Sequence, residues 1–265
     1  MVNRGGVELK HKFAVQLYTL RKECESDFPA TLRTLGRMGW AGVETAGLHG
    51  HAPEEIAEVL RETGLKTAGM HVSVERLRSD TEGVMAEARL LGTNRLICPS
   101  VPHEWRNEQG YVRLREELNA AAAELRSEGF TVAFHNHAFE FDTSVRGRDA
   151  LSYLIEPVLD NAVLAEIDVY WVKKAGYDPV VFLTPYSGRM PTMHLKDMTG
   201  DERRTYAEIG TGIIDFEPLL LWGERNGVEW YVVEQDICEG EALDSVRISL
   251  DNLHALADQL EAISE

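Results

Sequence analysis

Carboxylate and imidazole side chains stand at the ends of most of the short apolar runs in this chain of 265 residues. Groups of this kind repel one another when gathered in one place, unless a cation or a substrate compensates their charge. Oxygen and nitrogen donors without sulfur suit a divalent ion such as Mn²⁺, Mg²⁺, Co²⁺, Fe²⁺ or Zn²⁺. The candidates, in chain order, are Glu44, His71, His135, His137, Glu140, Asp168, His194 and Glu234.

These residues meet only if the apolar runs are neighbouring strands of one sheet. The pattern predicts strands at residues 13–18, 41–45, 66–72, 94–98, 130–135, 163–168, 191–195 and 229–234. Amphipathic stretches between them predict helices at residues 29–38, 53–63, 80–91, 111–127, 148–159, 178–186, 216–225 and 243–263. Strands that alternate with helices indicate βαβ units and a parallel sheet.

Eight such units in a chain of this length are typical of a (β/α)8 TIM barrel, here one α/β domain over residues 1–265. The competing architecture is an open doubly wound sheet, which usually carries GxGxxG after its first strand. The first predicted strand is instead followed by Thr19-Leu20-Arg21-Lys22-Glu23, without glycine. Because the C-terminal ends of barrel strands meet at one mouth, the candidates would lie together there.

The composition narrows the classes of partner. The formal net charge is −17, an acidic balance that repels nucleic acid. The three cysteines, Cys24, Cys98 and Cys238, form no CxxC pair, which suits a reducing compartment. Residues 1–10 lack an apolar signal-peptide core, and no apolar run reaches the roughly 20 residues that a membrane span needs. We therefore expect a cytoplasmic protein without a nucleic-acid or membrane partner.

Several segments match a known family pattern, namely VQLYTLR (15–21), GVETAG (42–47), FHNHAFEF (134–141), EIDVYW (166–171), HLKD (194–197), GTGIIDF (210–216) and WYVVEQD (230–236). Together they resemble the sugar phosphate isomerase/epimerase superfamily, also known as the xylose-isomerase-like or AP-endonuclease-family-2 barrels. The resemblance covers nearly the whole chain. Its most specific part is the pair HNHxFEF and HLKD, which indicates the superfamily and not one reaction.

The resemblance implies one divalent metal ion, with Mn²⁺ first among the candidates, held by Glu, Asp, His and Glu from strands five to eight. Asp168, His194 and Glu234 stand at the last three of these positions. At the first position this chain has His135 instead of glutamate. We expect Glu140 to be the ligand from strand five, because a third carboxylate best neutralises the ion, and His135 is the alternative.

The resemblance also implies a metal-dependent isomerase or epimerase that moves a proton next to the carbonyl group of a keto-sugar or cyclitol. Glu234 would act on one face of the substrate, and Glu140 or His137 on the other. Histidine needs little pKa tuning for proton transfer near neutral pH. His135 and His137 could therefore instead mark a branch with lyase or dehydratase activity on an inosose or a 3-keto-glycoside.

Four further residues are candidates for substrate binding. Glu44 and His71 could hold sugar hydroxyl groups or be structural. Trp171 could stack on a sugar ring or belong to the core. Lys196 could bind a substrate oxygen or a phosphate, or it could form an ion pair with Asp197 or Glu234.

The remaining motifs bear on the substrate and on other functional classes. The glycines of residues 210–216 suit a mobile loop over the site. Neither GxxxxGK[ST] nor a basic cluster at a strand end is present, so we expect an unphosphorylated substrate. An AP-endonuclease-type nuclease would need three metal ions and a basic DNA-binding face, and a non-catalytic sugar-binding barrel is a further alternative. Barrels of this size often associate, so a homo-oligomer is an open alternative.

Overall fold

A closed barrel of eight parallel strands forms the centre of the computed structural model, which describes residues 9–264. The strands are β1 (Phe13–Gln16), β2 (Gly42–Thr45), β3 (Lys66–His71), β4 (Arg95–Cys98), β5 (Thr131–His135), β6 (Leu164–Asp168), β7 (Thr192–Leu195) and β8 (Trp230–Val233). Each strand pairs with its neighbours in sequence, and β8 pairs with β1. The predicted TIM barrel is therefore confirmed. Residues 1–8 and 265 of the predicted domain, with most of its polar N-terminal segment, lie outside the described residues.

Helices surround the barrel. They are α1 (Arg21–Met38), α2 (Pro53–Thr63), α3 (Val74–Ser79), α4 (Thr81–Leu91), α5 (Glu108–Arg126), α6 (Ala150–Leu154), α7 (Val169–Lys174), α8 (Pro179–Leu183), α9 (Glu217–Asn226) and α10 (Ala242–Ser264). Each predicted helix has a counterpart among them. The sequence does not predict α3 or α7, because each has six residues, too few for a helical period to stand out.

Helix α1 begins well before the predicted start at residue 29. It is kinked at Asp27, whose φ of −159° and ψ of 91° are not helical. The kink precedes Pro29, which lacks an N–H donor and is tolerated in the first turn of a helical segment. Asp27 Oδ1 caps that segment by accepting a hydrogen bond from Ala30 N at 2.8 Å. The predicted helix is therefore the second part of one bent helix.

The interior of the barrel has a small apolar floor beneath a polar layer. Ala14, Ala68 and Val232 pack together at the floor, with Trp230 against them. The larger apolar core includes the residues that pack between the strands and the outer helices. The polar layer contains Gln16, Glu44, Glu166, Thr192 and His194, all fully buried. Since buried charges are stable only when paired or hydrogen-bonded, these side chains must compensate one another.

The helices and the cysteines bear on two further features of the sequence. Among residues 9–264, no helix combines the length and the apolar character that crossing a membrane requires. The three cysteines are free, and Cys24 and Cys98 are buried.

Candidate metal centre

Four side chains from the consecutive strands β5 to β8 meet at the mouth of the barrel. They are His135, Asp168, His194 and Glu234, and one ligand atom of each lies within 4.8 Å of the others. All four residues are buried. The structure thus brings together the three ligands that the family pattern implies from β6 to β8. The β5 residue that joins them is His135.

Backbone contacts fix the orientation of Asp168. Its Oδ1 accepts hydrogen bonds from Tyr170 N at 2.9 Å and Trp171 N at 3.3 Å, so Asp168 caps helix α7. Its own N–H donates to Asn136 Oδ1 at 2.9 Å. The second oxygen, Oδ2, is buried and makes no hydrogen bond. One carboxylate oxygen is therefore held by backbone amides, whereas the other has the ammonium group of Lys196 3.1 Å away and keeps a further lone pair for a ligand.

The donor set fits a divalent metal ion. Two carboxylates and two imidazoles are the oxygen and nitrogen donors that first-row ions accept. Ligand atoms bound at about 2.1 Å to one such ion stand about 3.0–3.4 Å apart. His194 Nδ1 lies 3.2 Å from Glu234 Oε2, within that range. The buried Oδ2 of Asp168, which has no hydrogen bond, adds an acceptor that an ion would satisfy.

A buried lysine lies beside this centre. Lys196 Nζ is 3.1 Å from Asp168 Oδ2, 3.0 Å from Glu234 Oε2 and 2.6 Å from Asp236 Oδ2. Burial alone would lower the pKa of Lys196, but the three carboxylates raise it well above its ordinary value. Lys196 is therefore a fixed cation. Of the two ion-pair partners that the sequence suggests for Lys196, the structure shows Glu234. Asp197 instead accepts hydrogen bonds from backbone N–H groups.

A second group of side chains, His71, His135, Glu166 and His194, shares two histidines with the first. Glu166 Oε1 is 3.0 Å from His71 Nε2, 3.1 Å from His194 Nε2 and 3.3 Å from His135 Nδ1. Burial opposes ionisation of Glu166, but the imidazoles, His194 foremost, hold its pKa well below the ordinary value. Glu166 is not among the candidates chosen at the strand ends, although its position in the strand indicates that it belongs with them. It stands two residues before Asp168, and alternate residues of a strand share a face.

Glu44 and His71 belong to this buried network. Glu44 Oε1 accepts a hydrogen bond from Gln16 Nε2 at 2.7 Å and lies 2.7 Å from His194 Nε2. His71 Nε2 bridges Glu44 Oε1 at 2.9 Å and Glu166 Oε1 at 3.0 Å. Burial alone would lower the pKa of His71, but the two carboxylates raise it to about 9. These contacts favour the structural alternative for Glu44 and His71 over sugar binding.

The structure places Glu140 away from the centre, contrary to the sequence-based preference. The chain turns after β5 into a short 3-10 helix, Phe139–Asp142, and Glu140 Oε2 accepts a hydrogen bond from His137 N at 2.8 Å. Glu140 belongs to neither group of candidate ligands. Burial raises its pKa to about 8. The geometry therefore favours His135, the alternative, as the ligand from β5.

Asp197 anchors the glycine-rich segment of residues 210–216. Its carboxylate accepts hydrogen bonds from the backbone N–H groups of Met198, Gly210, Gly212 and Ile214 at 2.7–3.0 Å. A Cβ atom on Gly212 would lie 2.3 Å from Met198 O and 2.4 Å from Asp197 Oδ1, so this close approach requires glycine. The segment predicted as a mobile loop is thus tied to the end of β7.

The whole of this architecture matches a known family. A family model described as the xylose isomerase-like TIM barrel matches residues 32–256 of the chain. The chain belongs to this family. Among curated relatives, the inosose dehydratase of Clostridium beijerinckii is 24% identical over 147 residues, 49% of this chain and 48% of that protein. The chain thus spans about half the length of this relative and of several others like it.

Further similarities extend over more of the chain. The inosose dehydratase of Geobacillus kaustophilus is 24% identical over 247 residues, 77% of this chain and 79% of that protein. A sugar phosphate isomerase/epimerase from Parabacteroides distasonis has a similar structure, with a TM-score of 0.79, 20% identity and 96% of each chain covered. The structure of the IOLI protein with a bound zinc atom has a TM-score of 0.73 and 14% identity, covering 94% of this chain and 98% of that one. At these identities the two structures show a shared fold.

The mouth of this xylose isomerase-like barrel has an aromatic wall. The ring of His137 stacks on Phe139 with centroids 5.1 Å apart, and the ring of Trp171 is 5.6 Å away. His137 and Trp171 are both partly exposed. Burial, with the charges of His135 and Lys196, lowers the pKa of His137 to about 2, so its imidazole is neutral. His137 and Trp171 therefore remain candidates for contact with a substrate.

Glu234 connects the parts of the site. Burial opposes its ionisation, but Lys196 and His194 hold its pKa well below the ordinary value, so it is an anion. It stands directly after β8 and is 6% exposed. The site therefore combines donors for a divalent ion, a carboxylate that can accept a proton and a fixed cation. This combination suits proton removal next to a carbonyl group.

Proposed function

We propose that this protein is a metal-dependent lyase that eliminates water from a keto-sugar or cyclitol. One observation carries the proposal: of the two carboxylates among the four candidate ligands, only Glu234 is suited to act as a base. Glu234 is an anion beside the mouth, whereas Asp168 has one oxygen bound to two backbone amides and Glu140 is turned toward His137 N. One base is enough for an elimination.

Glu234 would take the proton from the carbon atom next to the carbonyl group. A divalent ion held by the four candidate ligands supplies the electrophile that stabilises negative charge on the carbonyl oxygen. The electron pair of the C–H bond forms a C=C bond while the neighbouring C–O bond breaks. The protonated Glu234 then returns its proton to the departing hydroxyl group, so that water leaves and the charges balance. Lys196, 3.0 Å from Glu234 Oε2, holds the carboxylate during this transfer.

Epimerisation makes a different demand on the site. It removes a proton from one face of the substrate and delivers a proton to the other, so it needs two groups on opposite faces. With Glu140 away from the centre, His137 is the candidate for the second face. The isomerase or epimerase expected from the sequence is therefore our second candidate, and the same Glu234 would begin that reaction.

Two further observations support the lyase and its substrate class. The two curated relatives described above are named inosose dehydratases, and each is 24% identical to this chain over the matched residues. Lys196, the cation of the centre, is already paired with three carboxylates. It is therefore not free to bind a phosphate group, which supports an unphosphorylated substrate.

The direct test is proton NMR of the Mn²⁺-loaded protein with inososes, keto-sugars and 3-keto-glycosides in D₂O. A lyase gives a product with a new C=C bond and loss of water or of an aglycone. Exchange of one proton for deuterium without elimination would favour the isomerase or epimerase. Glu234→Gln should abolish either reaction, while the matched variant Glu140→Gln should retain it.

Metal analysis separates the other classes. One ion per chain together with turnover supports an enzyme of the proposed kind. Three ions per chain with cleavage of abasic DNA would favour the nuclease alternative. One ion per chain with sugar binding but without proton exchange would favour the non-catalytic barrel.

A further inference from the structure

The two ring nitrogens of His194 face different surroundings. Nδ1 lies 3.2 Å from Glu234 Oε2, on the side of the candidate metal centre. Nε2 points the other way, 2.7 Å from Glu44 Oε1 and 3.1 Å from Glu166 Oε1. A neutral imidazole carries one N–H group and one lone pair. Both nitrogens face a carboxylate, but Nε2 faces two and makes the shorter contact, which favours the N–H group on that side.

We propose that Glu44 and Glu166 are positioning residues, which hold His194 in the tautomer that presents Nδ1 to a divalent ion. This inference rests on the metal-dependent function proposed above. Neither carboxylate is itself a ligand. Their effect is exerted through the imidazole, by fixing its ring orientation and increasing the basicity of Nδ1.

The distances distinguish the contact of His194 with Glu44 from its contact with Glu234. Ligands of one ion stand about 3.0–3.4 Å apart, as estimated above from bonds of about 2.1 Å. The 3.2 Å between His194 Nδ1 and Glu234 Oε2 fits this range. The 2.7 Å between His194 Nε2 and Glu44 Oε1 is shorter and fits a charge-assisted hydrogen bond. In the proposed arrangement, Nδ1 of His194 therefore binds the ion, and Nε2 donates a hydrogen bond to Glu44.

The backbone is adapted to hold Glu44 in this place. The pairing register between β2 and β3 shifts between Val43 and Glu44, and such an irregularity re-aims a side chain. A Cβ atom on Gly69 of β3 would lie 2.8 Å from Glu44 Oε2, so glycine leaves room for the carboxylate. Gln16 Nε2 then donates to Glu44 Oε1 at 2.7 Å. Three strands thus contribute to the position of one carboxylate.

Glu166 is held in a similar way from the opposite side. Thr192 Oγ1 donates to Glu166 Oε2 at 2.6 Å, which leaves Oε1 to face the imidazoles. That oxygen lies 3.1 Å from His194 Nε2 and 3.3 Å from His135 Nδ1. Glu166 therefore faces one nitrogen of both candidate histidine ligands. The remaining nitrogen of His135 is thereby left for the centre.

His71 completes the network as the link between the two carboxylates. Its Nε2 lies 2.9 Å from Glu44 Oε1 and 3.0 Å from Glu166 Oε1, and its ring stacks on that of His194 at 5.7 Å. Two buried carboxylates without a cation would be costly, and His71 compensates them. His71 thus gives both carboxylates a second partner beside His194.

The test measures metal binding and needs no substrate. Glu44→Gln and Glu166→Gln keep the side-chain shape and remove the charge. We expect each to weaken Zn²⁺ binding about 10–100-fold in competition with a chelator, while one site per chain remains. Glu140→Gln, the same exchange at a buried glutamate outside the network, should bind Zn²⁺ as the unmodified protein does. Thr192→Val, which removes only the hydrogen bond to Glu166, provides a milder variant if a Gln variant does not fold.

Nitrogen NMR of the histidine rings distinguishes a positioning role of these carboxylates from a merely structural role. In the Zn²⁺-loaded protein, His194 should show a protonated Nε2 and a metal-bound Nδ1, and Glu44→Gln should shift the resonance of the Nε2 proton, which then donates to an amide oxygen instead of a carboxylate. Unchanged Zn²⁺ affinity in both Gln variants would overturn the proposal. So would two ions per chain with one lost in Glu166→Gln, because Glu166 would then be a ligand. Failure of the lyase assay would leave these measurements unaffected.

Discussion

Lys196 Nζ lies 3.0 Å from Glu234 Oε2, and the same oxygen lies 3.2 Å from His194 Nδ1. One carboxylate oxygen thus joins a fixed cation to the candidate metal centre. A divalent ion held there would be repelled by the ammonium group at short range. We therefore expect the lysine to lower the metal affinity of the proposed site while it holds Glu234 in place.

Replacing this lysine should separate metal affinity from stability. Lys196→Met removes a cation and leaves three carboxylates facing one another. We expect Zn²⁺ to bind about tenfold more tightly or better, and the metal-free protein to lose about 3–5 kcal/mol of unfolding free energy. Chelator competition and urea unfolding with and without Zn²⁺ measure both effects. Lys174→Met, which removes an amine that contacts the carbonyl of Arg204, is the control; weaker Zn²⁺ binding in Lys196→Met would contradict the prediction.

Removing two candidate ligands should abolish metal binding without unfolding the protein. The double variant Asp168→Ala with His194→Ala deletes one oxygen donor and one nitrogen donor. We expect bound metal to be lost while the circular dichroism spectrum stays that of the barrel. Elemental analysis of the dialysed protein gives the metal content per chain. If the double variant retained the metal content of the unmodified protein, the proposed centre would be wrong.

The carboxylate of Asp197 should govern the order of residues 210–214. Asp197→Asn replaces one acceptor oxygen by a donor, so backbone N–H groups lose their partner at a cost of about 1–3 kcal/mol. Amide hydrogen exchange at Gly210, Gly212 and Ile214 should become faster while exchange in the barrel strands stays slow. Asp201→Asn, a change at an exposed carboxylate of the same loop region, should leave these rates unchanged. Equal protection in both variants would show that Asp197 is not the anchor.

Glu140 should make the protein less stable as the pH rises. Burial raises its pKa in the folded protein to about 8, above the ordinary value of 4.5. Between these values the folded state keeps a proton that the unfolded state releases, so stability falls as the pH rises from about 4.5 to 8. Glu140→Gln removes this loss, which amounts to at most about 5 kcal/mol. Urea unfolding of both proteins at pH 5, 6.5 and 8 should show the variant gaining relative stability, and a constant difference would refute the prediction.

The arrangement of the strands could be predicted, because alternating apolar runs and amphipathic stretches report the βαβ repeat directly. Asp168, His194 and Glu234 could be predicted with it, since residues at consecutive strand ends of a barrel share one mouth. The choice between His135 and Glu140 could not. It depends on the short 3-10 helix after β5, which turns Glu140 back to His137 N.

The positions of other side chains depend on structural features that are not visible in the sequence pattern. The role of Glu44 depends on a register shift between β2 and β3, and a shift of one residue is not visible in an apolar run. The glycines of residues 210–216 resemble those of a mobile loop, but their N–H groups all point to one carboxylate. Glu166 is the exception, because its two-residue spacing from Asp168 predicts a shared face.

The floor formed by Ala14, Ala68 and Val232 closes the end of the barrel opposite the site. Ion and substrate would therefore share the entrance at the mouth, where His137 and Trp171 are partly exposed. Because the four candidate ligands are buried below that entrance, a bound sugar would block the path of the ion. For the proposed metal-dependent enzyme we therefore expect ordered binding, in which the metal ion enters before the sugar.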